Sequence, residues 1–352
     1  MNDLSVADQL FEFEDVNFDE DSSQERYLLQ IATGFFKSKI LSIGIQKNFF
    51  SFLSDDLKTF QEIQDYLGFS ERPSKIFLEA LIDMKLITLH GSKRKYGNTP
   101  ISQSFLQKKS ITYVGNIIKF FDAFYDDCSH LVKSFESDQP IKDTYSYFFE
   151  NKGSDVDTYS NEMQDTSDDI AVALINLYDF DENDVVLDIG GGTGNFCINL
   201  VSQLPETKAI LFDLPAVCEK AKARLADFWL SNRIDVHPGD FFNDTFPSGF
   251  NTALLMRIAH DWSTSQLRTI LKRIYDGLPQ GGRLIICETF KNDDLNQPND
   301  ALIASLILMI ISPHGECRSI NEMTKILQEV GFRVDEVLDV VIIYQAIVAI
   351  KE

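Results

Sequence analysis

His260, Asp261 and Trp262 stand directly behind the apolar run Thr252-Ala-Leu-Leu-Met256. Such a run reads as a buried strand, and the carboxyl ends of strands are where open α/β sheets bind ligands. A second run, Arg283-Leu-Ile-Ile-Cys-Glu288, ends in a carboxylate. The two are expected to be neighbouring strands, which brings imidazole and carboxylate to one cleft. A carboxylate on one ring nitrogen fixes the tautomer and leaves the other nitrogen as a base. A phenol of pKa about 10 is scarcely ionised at neutral pH. General-base help with such a proton is typically worth about 10²–10⁴-fold. A lone histidine is more often structural; Glu288 is what favours the base here. The remaining four of the five histidines, His90, His130, His237 and His314, read as wing, helix, strand and loop residues. No metal is expected, because no Asp, His or Cys cluster has ligand spacing.

A base needs something to react with. Val185-Val-Leu-Asp-Ile-Gly-Gly-Gly-Thr-Gly194 reads as a buried strand entering a glycine-rich turn, with a helix from about Phe196 to Leu204. The next strand, Lys208-Ala-Ile-Leu-Phe-Asp213, ends in a carboxylate placed to hold ribose hydroxyls. Gly190, Gly192 and Gly194 alternate, and Asn195 stands where a dinucleotide fingerprint has its last glycine. The turn carries no lysine, so it is not a P-loop. An ordinary tight turn is the plain alternative. Acidic strand ends without a basic phosphate ligand favour a cationic adenosine cofactor, S-adenosylmethionine (SAM). A third tip, Gly239-Asp240-Phe241, offers a carboxylate for the adenine amino group and a ring to pack on the base.

The elements around these residues alternate strand and helix to the C-terminus. That predicts an α/β fold, a doubly wound Rossmann-like sheet with helices on both faces. Ahead of it, an apolar helical stretch runs from Tyr27 to Leu53, too apolar for one solvated face. Thr59 to Gly68 is a helix with a capping-box Glu62, and Pro73 to Met84 is a second. Leu86 to His90, the basic turn Gly91 to Lys95 and Tyr96 form a two-stranded wing. Helix, turn, helix and wing make a winged-helix pattern, readable as a DNA reader or as a dimer scaffold. The acidic chain favours the scaffold. The expected division is an acidic tail 1–22, a winged-helix-like dimerisation domain 23–110, connecting helices 111–178 and a cofactor domain 179–352. Aromatics near Tyr145, Tyr147, Phe148 and Phe149 read equally as core or as walls for a flat substrate.

The net charge of −22 over 352 residues, with a pI near 4.6, argues against nucleic acid or an anionic membrane as the main partner. The five cysteines lack CxxC spacing and read as free thiols of a reducing, cytoplasmic compartment. The N-terminal stretch is acidic, without a charged-then-apolar leader. The longest apolar run, Leu302 to Ile311, is about half of a membrane span.

Taken in order, Leu187-Asp-Ile-Gly-Gly-Gly-Thr-Gly194, Phe212-Asp-Leu-Pro215, Gly239-Asp-Phe241, Arg257-Ile-Ala-His-Asp-Trp-Ser263, Leu278-Pro-x-Gly-Gly282 and Cys287-Glu288 carry a resemblance. So does Tyr159-x-x-x-Met163-x-x-x-Ser167. Over about residues 27–350 the chain resembles the SAM-dependent small-molecule O-methyltransferases of the caffeic acid and hydroxyindole type. The resemblance implies a homodimer, His260 as base and Glu288 as its orienting carboxylate. It places Gly190, Asp213, Gly239, Asp240, Phe241, Arg257 and Ser167 at SAM. The acceptor, a phenolic or enolic small molecule, would lie against Phe149, Tyr159, Met163 and Met309, with Phe148, Leu306 and Ile310 nearby. One departure stands out: where the family often has a second glutamate on its histidine, this chain reads His314-Gly-Glu-Cys-Arg-Ser319. Counting back from Gly331 puts Cys317 at that position and Glu316 one before it. A SAM-binding relative with another reaction, or a DNA-binding regulator, are the competing functional classes.

Overall fold

The structure, a computed structural model, describes residues 21–92, 94–110, 112–142, 168–294, 299, 301–341 and 343–352. The chain folds as two compact units, 1–122 and 123–352, so the stretch 111–178 is divided between them.

In the first unit, α1 (Asp21–Gln46) is followed by α2 (Phe49–Leu53), α3 (Phe60–Leu67) and α4 (Glu71–Asp83). The strands β1 (Ile87–His90) and β2 (Lys95–Asn98) pair as an antiparallel hairpin ahead of α5 (Pro100–Phe105) and α6 (Gly115–Ala123). The expected single helix to Leu53 breaks at Asn48, whose φ of 51° is left-handed and tolerable for asparagine. The capping box is present: Glu62 N donates to Thr59 Oγ1, and Thr59 N donates to Glu62 Oε2 at 2.7 Å. Phe49, Leu53, Ile63, Phe77, Leu81 and Ile87 close the core. Much of α1 lies outside it: Leu28, Ile31, Phe35 and Phe36 are all at least half exposed. Among the described residues, α1 is the helix long and apolar enough to cross a membrane by length and composition. The most membrane-like stretch is therefore here rather than at 302–311.

The second unit holds the sheet. Its strands are β3 (Val185–Ile189), β4 (Lys208–Asp213), β5 (Ile234–Pro238), β6 (Thr252–Met256), β7 (Arg283–Glu288), β8 (Phe332–Val341) and β9 (Tyr344–Lys351). They stand in the order β5-β4-β3-β6-β7-β9-β8. β3 to β7 are parallel, while β9 runs antiparallel to both β7 and β8. Register shifts bend β8 between Val334 and Glu336 and between Asp339 and Val341, which sequence periodicity did not foretell.

The helices are α7 (Tyr125–Cys128), α8 (Leu131–Ser137), α9 (168–177), α10 (Asn195–Gln203), α11 (Pro215–Leu225), α12 (Thr264–Gly277), α13 (Ala301–Ile311) and α14 (Ile320–Val330). Side chains alternate along each strand and so fill two cores. Leu187, Ile189, Ala253, Leu255, Leu284 and Ile286 face α12 and α14. Val186, Leu211, Leu254, Ile285 and Cys287 face α9, α10 and α11. Fully burying one such aliphatic side chain is worth roughly 1.5–3 kcal/mol. After β5 the chain returns to the far side of β3, so the order reverses between β3 and β6. That reversal is the place where a doubly wound sheet opens a crevice at its strand tips. All five cysteines are free thiols, with Cys128 exposed and the other four buried.

Candidate active site

The crevice begins at the glycine turn after β3. Gly190, Gly192 and Gly194 take φ of 73°, 59° and 88°, left-handed values that disfavour a side chain. The turn is tied to the tip of β4. Gly190 N donates to Phe212 O at 2.8 Å and Gly192 N to Asp213 Oδ2 at 2.8 Å. Leu214 N donates to Asp213 Oδ1 at 2.7 Å. Each Asp213 oxygen thus takes one backbone donor and keeps a lone pair for a hydroxyl. Burial pushes the Asp213 carboxyl up to about 6, against the pull of those two backbone donors. Asp188, beneath Gly191, is buried beside the Cys197 thiol and is pushed up to about 7, chiefly by burial. Acidic groups at the turn disfavour the further negative charge of a phosphate there. The neighbouring tip holds Gly239, whose N donates to Asp213 O at 2.9 Å. Asp240 accepts from Phe242 N at 2.8 Å and from Asn243 Nδ2 at 2.6 Å, so it caps its own turn. Phe241 stands edge-on to Trp262 with ring centroids 5.5 Å apart. Arg257, directly after β6, has φ 60° and donates its N–H to Cys287 O at 3.0 Å.

The next tip carries the imidazole. β6 and β7 are paired as expected, with Met256 opposite Cys287. Glu288, 2% exposed, accepts from His260 Nδ1 and from Ala259 N, the latter at 2.8 Å. The sequence suggested that the second ring nitrogen would be free. Instead, His260 Nε2 lies 3.2 Å from Asp261 Oδ1, because the tight turn Ala259–Asp261 folds the adjacent side chain back. Burial disfavours the charged ring, but Glu288 and Asp261 outweigh it and hold its pKa well above the ordinary value. His260 keeps 19% of its side chain exposed, so it remains open on one side. Asp261 is thus a site residue that sequence reasoning passed over; its signal was its place immediately after the histidine.

Glu316 does not supply a second carboxylate to the ring. Its Oε1 accepts from Arg318 Nη2 at 3.1 Å, while its backbone N–H donates to His260 O at 2.8 Å. Cys317 is buried at the position counted from Gly331 and lies within the electrostatic reach of His260 and Glu288.

Residues 127–333 match the model of the O-methyltransferase domain. The chain belongs to the O-methyltransferase family. It is 30% identical to the 3-hydroxy-5-methyl-1-naphthoate 3-O-methyltransferase of Streptomyces sahachiroi, over 86% of this chain and 88% of the relative. It is 26% identical to the N,N-dimethyltransferase OxyT of Streptomyces rimosus, over 89% and 92%. In fold it is similar to the crystal structure of human N-acetylserotonin methyltransferase in complex with SAM, with TM-score 0.77 and 23% identity over 95% of this chain and 99% of that one.

For an O-methyltransferase, the described residues bring together the sequence-assigned Gly190, Asp213, Gly239, Asp240, Phe241, Arg257, His260 and Glu288 at the carboxyl ends of β3 to β7. Met309 lies half-buried on α13, with Ile310 buried beside it. Ser167, Phe149, Tyr159 and Met163, like Phe148, lie outside the described residues.

Proposed function

We propose that this O-methyltransferase moves the methyl group of SAM to a hydroxyl of an aromatic or polyketide-like small molecule, with His260 as general base. The observation that carries the reading is the His260–Glu288 pair one strand away from a glycine turn lined by raised carboxyls. SAM fits those residues: the turn itself carries no lysine or arginine for a phosphate, Arg224 behind it donates to Thr193 Oγ1 and Asn195 Oδ1, and Asp213 stands at its open side. Gly190 and Gly192 would receive its aminoacyl end, Asp213 its ribose hydroxyls, Asp240 and Phe241 its adenine, and Arg257 its carboxylate. When bound, SAM supplies a methyl group activated by a sulfonium.

The chain's own residues do the rest. Glu288 fixes Nδ1 as a hydrogen-bearing nitrogen, and once Nε2 has released the proton it shares with Asp261, Nε2 is the proton acceptor. An acceptor hydroxyl reaching Nε2 displaces the Asp261 carboxylate or bridges to it. The raised basicity of the ring narrows its gap from a phenol of pKa about 10. As the oxygen gains the methyl group, its proton goes to Nε2. The imidazolium so formed is held between Glu288 and Asp261.

The exposed apolar face of α1 supports a homodimer, and we read the helix–helix–hairpin of the first unit as a winged-helix scaffold for it. The free cysteines support a reducing, cytoplasmic compartment, and a net charge of −22 argues against nucleic acid or an anionic membrane as partner. Transfer to nitrogen is a second reading, favoured by the likeness to an N,N-dimethyltransferase. One experiment tests the whole. The protein is incubated with SAM and a panel of hydroxynaphthoates, hydroxyindoles and aryl amines, and products are read by mass spectrometry. A gain of one methyl on oxygen is expected. His260→Ala should lower kcat by about 10²-fold or more while SAM affinity by calorimetry stays nearly unchanged. Equal loss of both would make His260 structural and end this reading.

A further inference from the structure

Four consecutive carbonyls of the turn that carries His260 are held from one stretch of chain. Ala259 O accepts from Arg318 Nη1 at 3.1 Å, and Trp262 O accepts from Arg318 Nη2 at 2.7 Å. Between them, His260 O accepts from Glu316 N at 2.8 Å and Asp261 O from Ser312 Oγ at 3.3 Å. All these donors lie between residues 312 and 318, directly after α13. The same guanidinium also donates to Thr264 Oγ1 at 3.3 Å and to Glu316 Oε1 at 3.1 Å.

Arg318 is 4% exposed. A guanidinium so deeply placed is costly unless its donors are used, and a hydrophobic filler could occupy the same volume more cheaply. Two of its nitrogens are spent on main-chain oxygens on either side of the catalytic ring. A planar fork can span that pair of carbonyls; the single point charge of a lysine cannot. On the ring side, Glu288 ties the imidazole to the sheet, and Asp261 belongs to the same turn as the ring. Nothing in those contacts fixes the ring relative to α13, which carries Met309, assigned from the sequence to the acceptor wall.

We propose that Arg318 is a positioning residue, clamping the backbone on both sides of His260 so that the imidazole keeps its place relative to α13. The inference rests on His260 being the base. It adds that the base and the acceptor wall form one rigid piece, with Ser312 and the Glu316 backbone as secondary ties.

The test is Arg318→Lys, which keeps charge and bulk but loses the fork. Two readouts are taken. With SAM and a hydroxynaphthoate, kcat should fall about 10–100-fold while SAM affinity stays within about 2-fold, because a misplacement near 1 Å costs that much in a transfer reaction. Without any acceptor, nitrogen-15 histidine spectra should show the far-downfield His260 ring N–H shared with Glu288 in the wild type, and its loss in the variant. A variant that keeps the ring signal and the wild-type kcat overturns the clamp. So does one in which kcat, SAM affinity and unfolding midpoint all fall together, since Arg318 would then only hold the fold. If Arg318→Lys does not fold, Ser312→Ala is read in its place: a weakened ring signal supports the clamp and an unchanged one overturns it. The ring signal asks nothing of the substrate, so absence of methyl transfer in the wild type would sink the functional reading while leaving the clamp standing or falling on its own.

Discussion

Asp188→Asn removes a carboxyl that the folded chain holds against its preference. In the unfolded chain this group titrates at 3.8; in the fold burial raises it to about 7. Between those values the folded protein keeps a proton that the unfolded chain has released. Stability therefore falls as pH rises through that window and levels off above it. From near pH 5 to near pH 8 about two units of the window are crossed. At about 1.4 kcal/mol each, the wild type should lose roughly 3 kcal/mol from this group alone. The amide variant has no such slope. An asparagine oxygen can still accept from Cys197 Sγ, which lies 3.4 Å from Asp188 Oδ2. Any cost of an unpaired amide N–H, about 1–3 kcal/mol, does not depend on pH and cancels from the comparison. The assay is urea denaturation of both proteins at the two pH values. The variant should gain on the wild type by roughly 3 kcal/mol between the acid and the alkaline measurement. An unchanged difference between them would mean that Asp188 ionises normally in the fold.

Asp261→Asn should move the rising limb of the kcat/KM–pH profile to lower pH. His260 must be neutral to act, and one of the two carboxylates that keep it charged is gone; a limb that stays in place would show that Asp261 does not act on the ring. Asp213→Ala should weaken SAM binding by about 10-fold or more with a smaller effect on kcat at saturation, read by calorimetry and steady-state rates. Below pH 6 the wild type should lose SAM affinity as well, since the Asp213 carboxyl, at about 6, gains a proton there. Glu316→Gln should leave kcat within about 3-fold, because its carboxylate is half exposed and pairs with Arg318 rather than with the ring; a loss near that of His260→Ala would restore it as a catalytic group.

Much of this site could be read before any coordinates. Apolar runs ending in Gly190, Asp213, Met256 and Glu288 define strand tips, and a parallel sheet lines its tips up along one edge. The sequence also set β6 beside β7, while the rest of the strand order is seen only in the fold. What escaped was short-range geometry. The tight turn that folds Asp261 back onto Nε2 depends on backbone angles that residue spacing does not encode. The guanidinium fork of Arg318 joins residues far apart in sequence, and nothing in the local text of Gly315 to Ser319 signals which carbonyls it meets. Helix ends were legible where a side chain closes them, as at Thr59. They were not where the backbone merely turns left-handed, as at Asn48. The bends in β8 were hidden for the same reason, since an extra residue in one strand only shows against its partner.

The rims of the large sheet bear on how the protein behaves when crowded. One rim, β5, is five residues long and ends in Pro238, which has no N–H to offer a neighbour. The other, β8, is bent twice and carries Arg333, Asp335, Glu336 and Asp339. A foreign strand arriving at either side meets a proline stop or a kinked, charged border. Fibril-like stacking is thereby discouraged at both borders, which leaves the oily flank of the first helix, among the described residues, as a surface that a second molecule can meet.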